Sequence, residues 1–167
     1  VWCSTSDNAN RKLKKTLEIV EADGTLVGIN TNLPNKLTHE ALSNQVISAF
    51  AEYPVITPEF TYEKGTRFDF KLATEDDAPP LMLEVKNVHL ARPDGPNPNA
   101  MEFPDAVTAR GAKHLNILAE IARSGGKAAM LYVIQRGDGE YFTLADDIDP
   151  VYAEAFIAAR QAGVAIH

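Results

Sequence analysis

The stretch Arg67-Phe68-Asp69-Phe70-Lys71-Leu72 alternates charged and apolar residues, and Leu81-Met82-Leu83-Glu84-Val85-Lys86 follows it across a polar, proline-ended loop. A strand turns successive side chains to opposite faces. Phe68, Phe70 and Leu72 therefore face one side, and Arg67, Asp69 and Lys71 the other. In the second stretch Leu83 and Val85 share a face, and Glu84 and Lys86 share the opposite one. The 14 residues between Asp69 and Glu84 allow a hairpin, which sets the two carboxylates side by side.

Upstream, Thr38 is placed to cap a helix running through about Phe50, with Leu42, Val46, Ile47 and Phe50 as its apolar stripe. Pro54 and Pro58 break the chain after it. Earlier still, Leu17–Val20 and Leu26–Ile29 flank Asp23-Gly24, a hairpin turn pair. The chain opens on the strand-like Val1-Trp2-Cys3 without an initiator methionine. Residues 1–32 are thus expected to be the remnant of a β-rich module, and residues 33–167 a separate α/β domain.

Downstream, residues 92–99 hold three prolines, two asparagines and a glycine, which predicts a mobile loop. Pro104-Asp105 should start a helix that buries Val107, Leu115, Leu118 and Ile121 and ends at Gly125-Gly126. Met130–Ile134 is continuously apolar, as a strand buried on both faces requires. Asp149-Pro150 starts a last helix to about Ala162, and Val164-Ala165-Ile166 begins a further strand. Strands and helices in this order predict a mixed α/β layer fold.

Composition narrows the function classes. The 167 residues are 45% hydrophobic and 23% charged, ordinary for a globular chain. One cysteine, Cys3, excludes an internal disulfide framework and a multi-cysteine zinc site. No apolar run approaches the ~20 residues of a membrane span, and no signal-peptide pattern is present, so a cytoplasmic protein is the expectation. The net charge of −7 argues against non-specific coating of nucleic acid, though a local basic site on an acidic body is compatible with it. Residues 138–167, with six acids and one base, are the part least suited to a polyanion.

The chemistry concentrates at Asp69, Glu84 and Lys86. Two carboxylates converging from paired strands are hard oxygen donors that suit Mg²⁺ or Mn²⁺, ions that keep waters and bind phosphate. Such an ion would lower the pKa of a bound water and neutralise phosphodiester charge. Lys86 could orient the water or stabilise developing negative charge. A solvated strand face of alternating charges gives the same pattern and stands as the alternative.

Asp69 followed by Glu84-Val85-Lys86, after a helix carrying Glu40, resembles the PD-(D/E)xK nuclease-like motif. The chain further resembles the sugar fermentation stimulation protein family, SfsA. The matching stretches are Val1-Trp2, Ser4–Asn8, Asn30-Thr31, Arg67–Phe70 and Glu84–Val88, and above all Phe103-Pro104-Asp105-Ala106-Val107-Thr108-Ala109-Arg110-Gly111-Ala112-Lys113-His114-Leu115. The resemblance implies a restriction-endonuclease-like mixed sheet flanked by helices, preceded here by a remnant of an N-terminal OB-type module and cut short at the C-terminus. It also implies DNA binding and a link to regulation of sugar (maltose) utilisation. Asp69 and Glu84 take the metal-ligand places, Lys86 the motif lysine, and Glu40 that of an accessory acid.

Glu40 also reads as a solvated residue in a helix's first turn. Arg110 and Lys113, or Arg110 and His114, share a helix face that could hold phosphate. Asp105 is most simply an N-terminal helix residue, and His114 could instead be a core-edge histidine bonded to a backbone carbonyl. Arg11, Lys12, Lys14 and Lys15 form a basic run that could touch a phosphate backbone or lie in a solvated loop. Lys12, Arg67, Arg110, Lys113 and His114 are therefore the candidate nucleic-acid contacts. Two functions follow: a Mg²⁺- or Mn²⁺-dependent phosphodiesterase acting on DNA or RNA, or a DNA-binding regulator without turnover. A metabolic α/β domain is the third reading. The sequence leaves a homodimer open.

Overall fold

A computed structural model describes residues 1–167. The elements are β1 (Trp2–Thr5), β2 (Lys15–Ala22), β3 (Thr25–Gly28), α1 (Leu33–Ser43), β4 (Val55–Glu63), β5 (Thr66–Ala73), β6 (Leu81–Val88), β7 (Ala100–Phe103), α2 (Ala109–Arg123), β8 (Lys127–Ile134), β9 (Tyr141–Leu144), α3 (Pro150–Ala162) and β10 (Ala165–Ile166). A five-stranded mixed sheet runs β10-β8-β6-β5-β4. β10, β8 and β6 are parallel, and β5 and β4 antiparallel to their neighbours.

Two hydrophobic clusters cover its faces. Met82, Val88, Met130 and Tyr132 pack with α2 and α3, while Leu81, Leu83, Val85 and Ala129 pack with Leu42 of α1. β1–β3 form a separate antiparallel sheet. It meets the main body where the Gly28 N–H donates to the Gln135 carbonyl at 2.8 Å. The Asp23-Gly24 turn forms as expected, with φ of 53° and 79°, the positive pair a tight hairpin needs.

Several expectations are corrected. α1 starts at Leu33, not Thr38, because Pro34 at its start is preorganised for a first turn. Thr38 lies buried in its middle. The helix stops at Ser43, Gln45 takes φ 53°, and a 3-10 turn over Ser48–Phe50 returns Phe50 to the core. Leu42 and Phe50 are buried as the stripe required, but Val46 is exposed.

Pro58 does not break the chain. It lies within β4, the edge strand, where a missing N–H costs no ladder bond on the open side. Phe68 and Phe70 do not share a face: Phe68 joins the α2/α3 cluster, and Phe70 and Leu72 the α1 cluster. β5 therefore changes face at Asp69, opposite an irregular stretch of β4 in which Glu59 has φ 53°.

α2 begins after a Thr108 cap rather than at Pro104, leaving Val107 exposed and Asp105 outside the helix. The 92–99 loop is tied down by Arg92, which bonds Glu102 and Asp147. The short parallel pair β7–β9 carries no local signal in the sequence. The last helix and the parallel β10 fall where expected.

Candidate functional site

Regular pairing between β5 and β6 covers only Phe70↔Leu83, Lys71↔Met82 and Leu72↔Leu81. Beyond it Asp69 supplies by side chain what the ladder no longer does. Its Oδ2 accepts the Val85 N–H at 2.8 Å, and its Oδ1 accepts from Asn35 Nδ2 of α1 at 2.7 Å. Burial pushes the Asp69 carboxyl above the usual carboxylate range, and the negative charge of Glu84 pushes it further. The Val85 and Asn35 bonds and the Lys86 charge act the other way.

Glu84 is only 4% exposed, so its face of β6 is not a solvated one. The alternative of an open charged strand face falls here. Oε1 receives two donors, Nδ1 of His114 at 2.6 Å and Nζ of Lys86 at 2.6 Å. Oε2 is buried with no partner at all. Burial raises the Glu84 carboxyl, but the His114 bond and the Lys86 charge and bond outweigh it. The group is held below its usual value and is ionised at neutral pH. A bare oxygen on a buried carboxylate is costly, and something must offset it.

His114 is a buried residue of α2 bonded to a carboxylate, not to a backbone carbonyl. Since an ionised carboxylate only accepts, Nδ1 carries the proton. The ring lies against Phe68 in a T-shaped contact at 6.0 Å. α2 itself is fixed at its N-terminus by Asp149, whose carboxylate accepts the N–H of Thr108 at 2.7 Å and of Tyr152 at 2.9 Å. One buried side chain thus anchors the starts of α2 and α3 together. Asp105 sits 3.4 Å from His89 instead of in a helix turn.

Arg67, Arg110, Lys113 and His114 line one open groove of about 690 Å³ with Thr61 and Glu63. Arg67 also pairs with Glu59 at 2.9 Å. Lys12 lies on the connection between β1 and β2, exposed, and is not part of that groove. Glu40 is exposed on α1, beyond its first turn. It makes no bond to either acid; Asn35, in the first turn of α1, is the α1 side chain that reaches Asp69. Asn35 is hidden in the sequence because Pro34 opens α1 ahead of the Thr38 cap signal, and the His114–Glu84 bond because it joins residues 30 apart.

The donor set fits a hard divalent cation in part. It offers a bare, ionised Glu84 oxygen and a second carboxylate close enough to feel its charge. No group of three or more His, Cys, Asp or Glu side chains gathers as a full ligand set. Mg²⁺ commonly takes one or two carboxylates and completes its shell with water and phosphate oxygens.

This architecture, a mixed sheet flanked by helices, is shared by a solved structure of Pyrococcus furiosus SfsA in complex with Ca²⁺. The match has a TM-score of 0.85 at 22% identity and covers 98% of this chain and 67% of that one. Residues 32–167 match the family described as the sugar fermentation stimulation protein RE domain. The sugar fermentation stimulation protein homologue of Chelativorans is 49% identical over 164 residues, covering 98% of this chain and 68% of its own. That of Allorhizobium ampelinum is 46% identical over the same length and shares. The chain belongs to the sugar fermentation stimulation protein family. None of its helices is long and apolar enough to cross a membrane.

Proposed function

We propose that this protein binds DNA, or RNA, through a nuclease-like domain over residues 33–167, and cleaves it as a Mg²⁺- or Mn²⁺-dependent phosphodiesterase. The observation that carries this reading is the buried, unpartnered Oε2 of Glu84 beside the Asp69 carboxylate. A divalent cation held by these two acids would supply a water of lowered pKa and would neutralise phosphate charge. The Ca²⁺ in the Pyrococcus furiosus relative supports a divalent cation here.

The chain's own residues would do the rest. Asp69 and Glu84 hold the ion. Lys86, half-buried and bonded to Glu84, would stand beside the reacting phosphate. Arg67, Arg110 and Lys113 line the groove in which the strand's phosphates would run. The sheet of residues 1–32 is read as OB-type, with Lys12 as an outlying phosphate contact. Sugar (maltose) gene regulation in the cytoplasm is the setting this family membership suggests.

The test is cleavage of single- and double-stranded DNA with Mn²⁺ or Mg²⁺, beside EDTA and Asp69→Asn. Metal-dependent products from the wild type alone support the reading. Equal cleavage by Asp69→Asn contradicts the mechanism. The second reading, DNA binding without turnover, takes its support from Lys86, whose Nζ is engaged by Glu84. It predicts salt-sensitive DNA affinity that survives EDTA.

A further inference from the structure

His114 lies outside the acid–lysine motif, yet it makes the shortest class of contact in the site, 2.6 Å to Glu84 Oε1. Lys86 Nζ converges on the same oxygen at the same distance. Two donors on one oxygen and none on the other is an asymmetric arrangement for a buried carboxylate. A carboxylate free to turn would share its two oxygens between the two donors. The imidazole prevents this, because its own freedom is gone: it is buried on α2, and its ring meets Phe68 edge to face. α2 is in turn fixed by the Asp149 bond to Thr108.

We propose that His114 is a positioning residue that fixes the rotation of Glu84, so that Oε2 alone is left to bind a divalent cation. The inference rests on the acid pair being a metal site, as argued above. Lys86 cannot do this by itself. Its ammonium sits at the end of four rotatable bonds and presents three equivalent donors, so it follows the carboxylate rather than directing it. The imidazole Nδ1–H has one direction.

Asparagine and glutamine at position 114 separate the geometry from polarity. An asparagine amide falls near the place of imidazole Nδ1, and a glutamine amide near that of Nε2. The experiment is a calorimetric Mn²⁺ titration of the wild type, His114→Asn and His114→Gln, with thermal unfolding of each metal-free protein.

The expected result is Mn²⁺ binding in the wild type, affinity within about threefold of it in His114→Asn, and a loss of about tenfold or more in His114→Gln. A tenfold loss corresponds to about 1.4 kcal/mol of misplaced ligand. A merely structural histidine would lower the unfolding temperature of both variants and leave the Mn²⁺ affinity of both alike. Equal affinity in the two variants overturns the positioning role while leaving the metal site standing. No Mn²⁺ binding in the wild type overturns the metal site, and this role with it.

Discussion

Val85, the residue between Glu84 and Lys86, donates its backbone N–H to Oδ2 of Asp69 at 2.8 Å. The Asp69 carboxylate thus holds the strand that carries Glu84 and Lys86. An asparagine at position 69 can still accept from Val85 but loses the charge. Asp69→Asn is expected to stay within about 1 kcal/mol of wild-type stability while abolishing Mn²⁺ binding. Asp69→Ala, which strands the Val85 N–H, should cost about 2 kcal/mol more. Urea unfolding and calorimetry of both variants check this.

Away from the site, Arg92 grips Glu102 through two bonds, at 2.6 and 2.8 Å, and Asp147 through two more. The Glu102 side chain is fully buried. The Arg92 bond, more than burial opposes it, holds the Glu102 carboxyl below its usual 4.5. A depressed carboxyl stabilises the fold above its unfolded value and loses that contribution as pH falls through the folded one. Arg92→Met should therefore destabilise the fold at pH 7, where it leaves the Glu102 charge unpaired. The deficit should shrink as the pH falls below the usual 4.5, where the wild type too loses the contribution of the ionised Glu102. Denaturant unfolding of both proteins from pH 7 down to pH 4 measures it; a deficit that does not depend on pH would contradict this account.

Gly111 lies where α2 crosses α3. A Cβ there would meet the Thr108 side chain at 2.9 Å and the Tyr152 ring at 3.0 Å. Alanine would gain about 1 kcal/mol of helix propensity. Overpacking against a fully buried tyrosine costs about 1–3 kcal/mol, so the net effect of Gly111→Ala is a loss. It should also disturb the cap from Thr108 to the Gly111 N–H, three residues before His114. Thermal unfolding gives the sign directly, and a stabilised variant would show that the helix crossing yields.

The groove makes a separate, electrostatic prediction. On a chain of net charge −7, nucleic-acid affinity must come from a local patch. Arg110→Ala and Lys113→Ala should each weaken DNA binding across all sequences and lower the salt slope by about one. Lys12→Ala, outside the groove, should do less. Fluorescence anisotropy across a salt series distinguishes them.

The strands were legible because their signal is local: alternation in β5 and β6, the Asp-Gly turn, the apolar run of β8, and the caps of α3. The reading failed where tertiary structure overrides local pattern. Phe68 has the alternation of a one-faced strand, yet β5 changes face at Asp69. Pro58 reads as a breaker, but an edge strand accepts it. The Leu42–Phe50 stripe is buried as read, although two elements rather than one helix deliver it. The nearness of Asp69, Glu84 and Lys86 could be read from the alternation of the two strands. Asn35 and the engagement of His114 with Glu84 could not, since both are long-range contacts made by the packing of α1 and α2 on the sheet.

Glu84 and Asp69 are proposed to hold a divalent cation together. The most direct test is a calorimetric titration of Mn²⁺ into the wild-type chain beside Glu84→Gln, in the absence of nucleic acid. The account predicts one saturable binding event in the wild type that vanishes in the variant, with the variant still folded. Binding of equal affinity in Glu84→Gln, or none in the wild type, would contradict it.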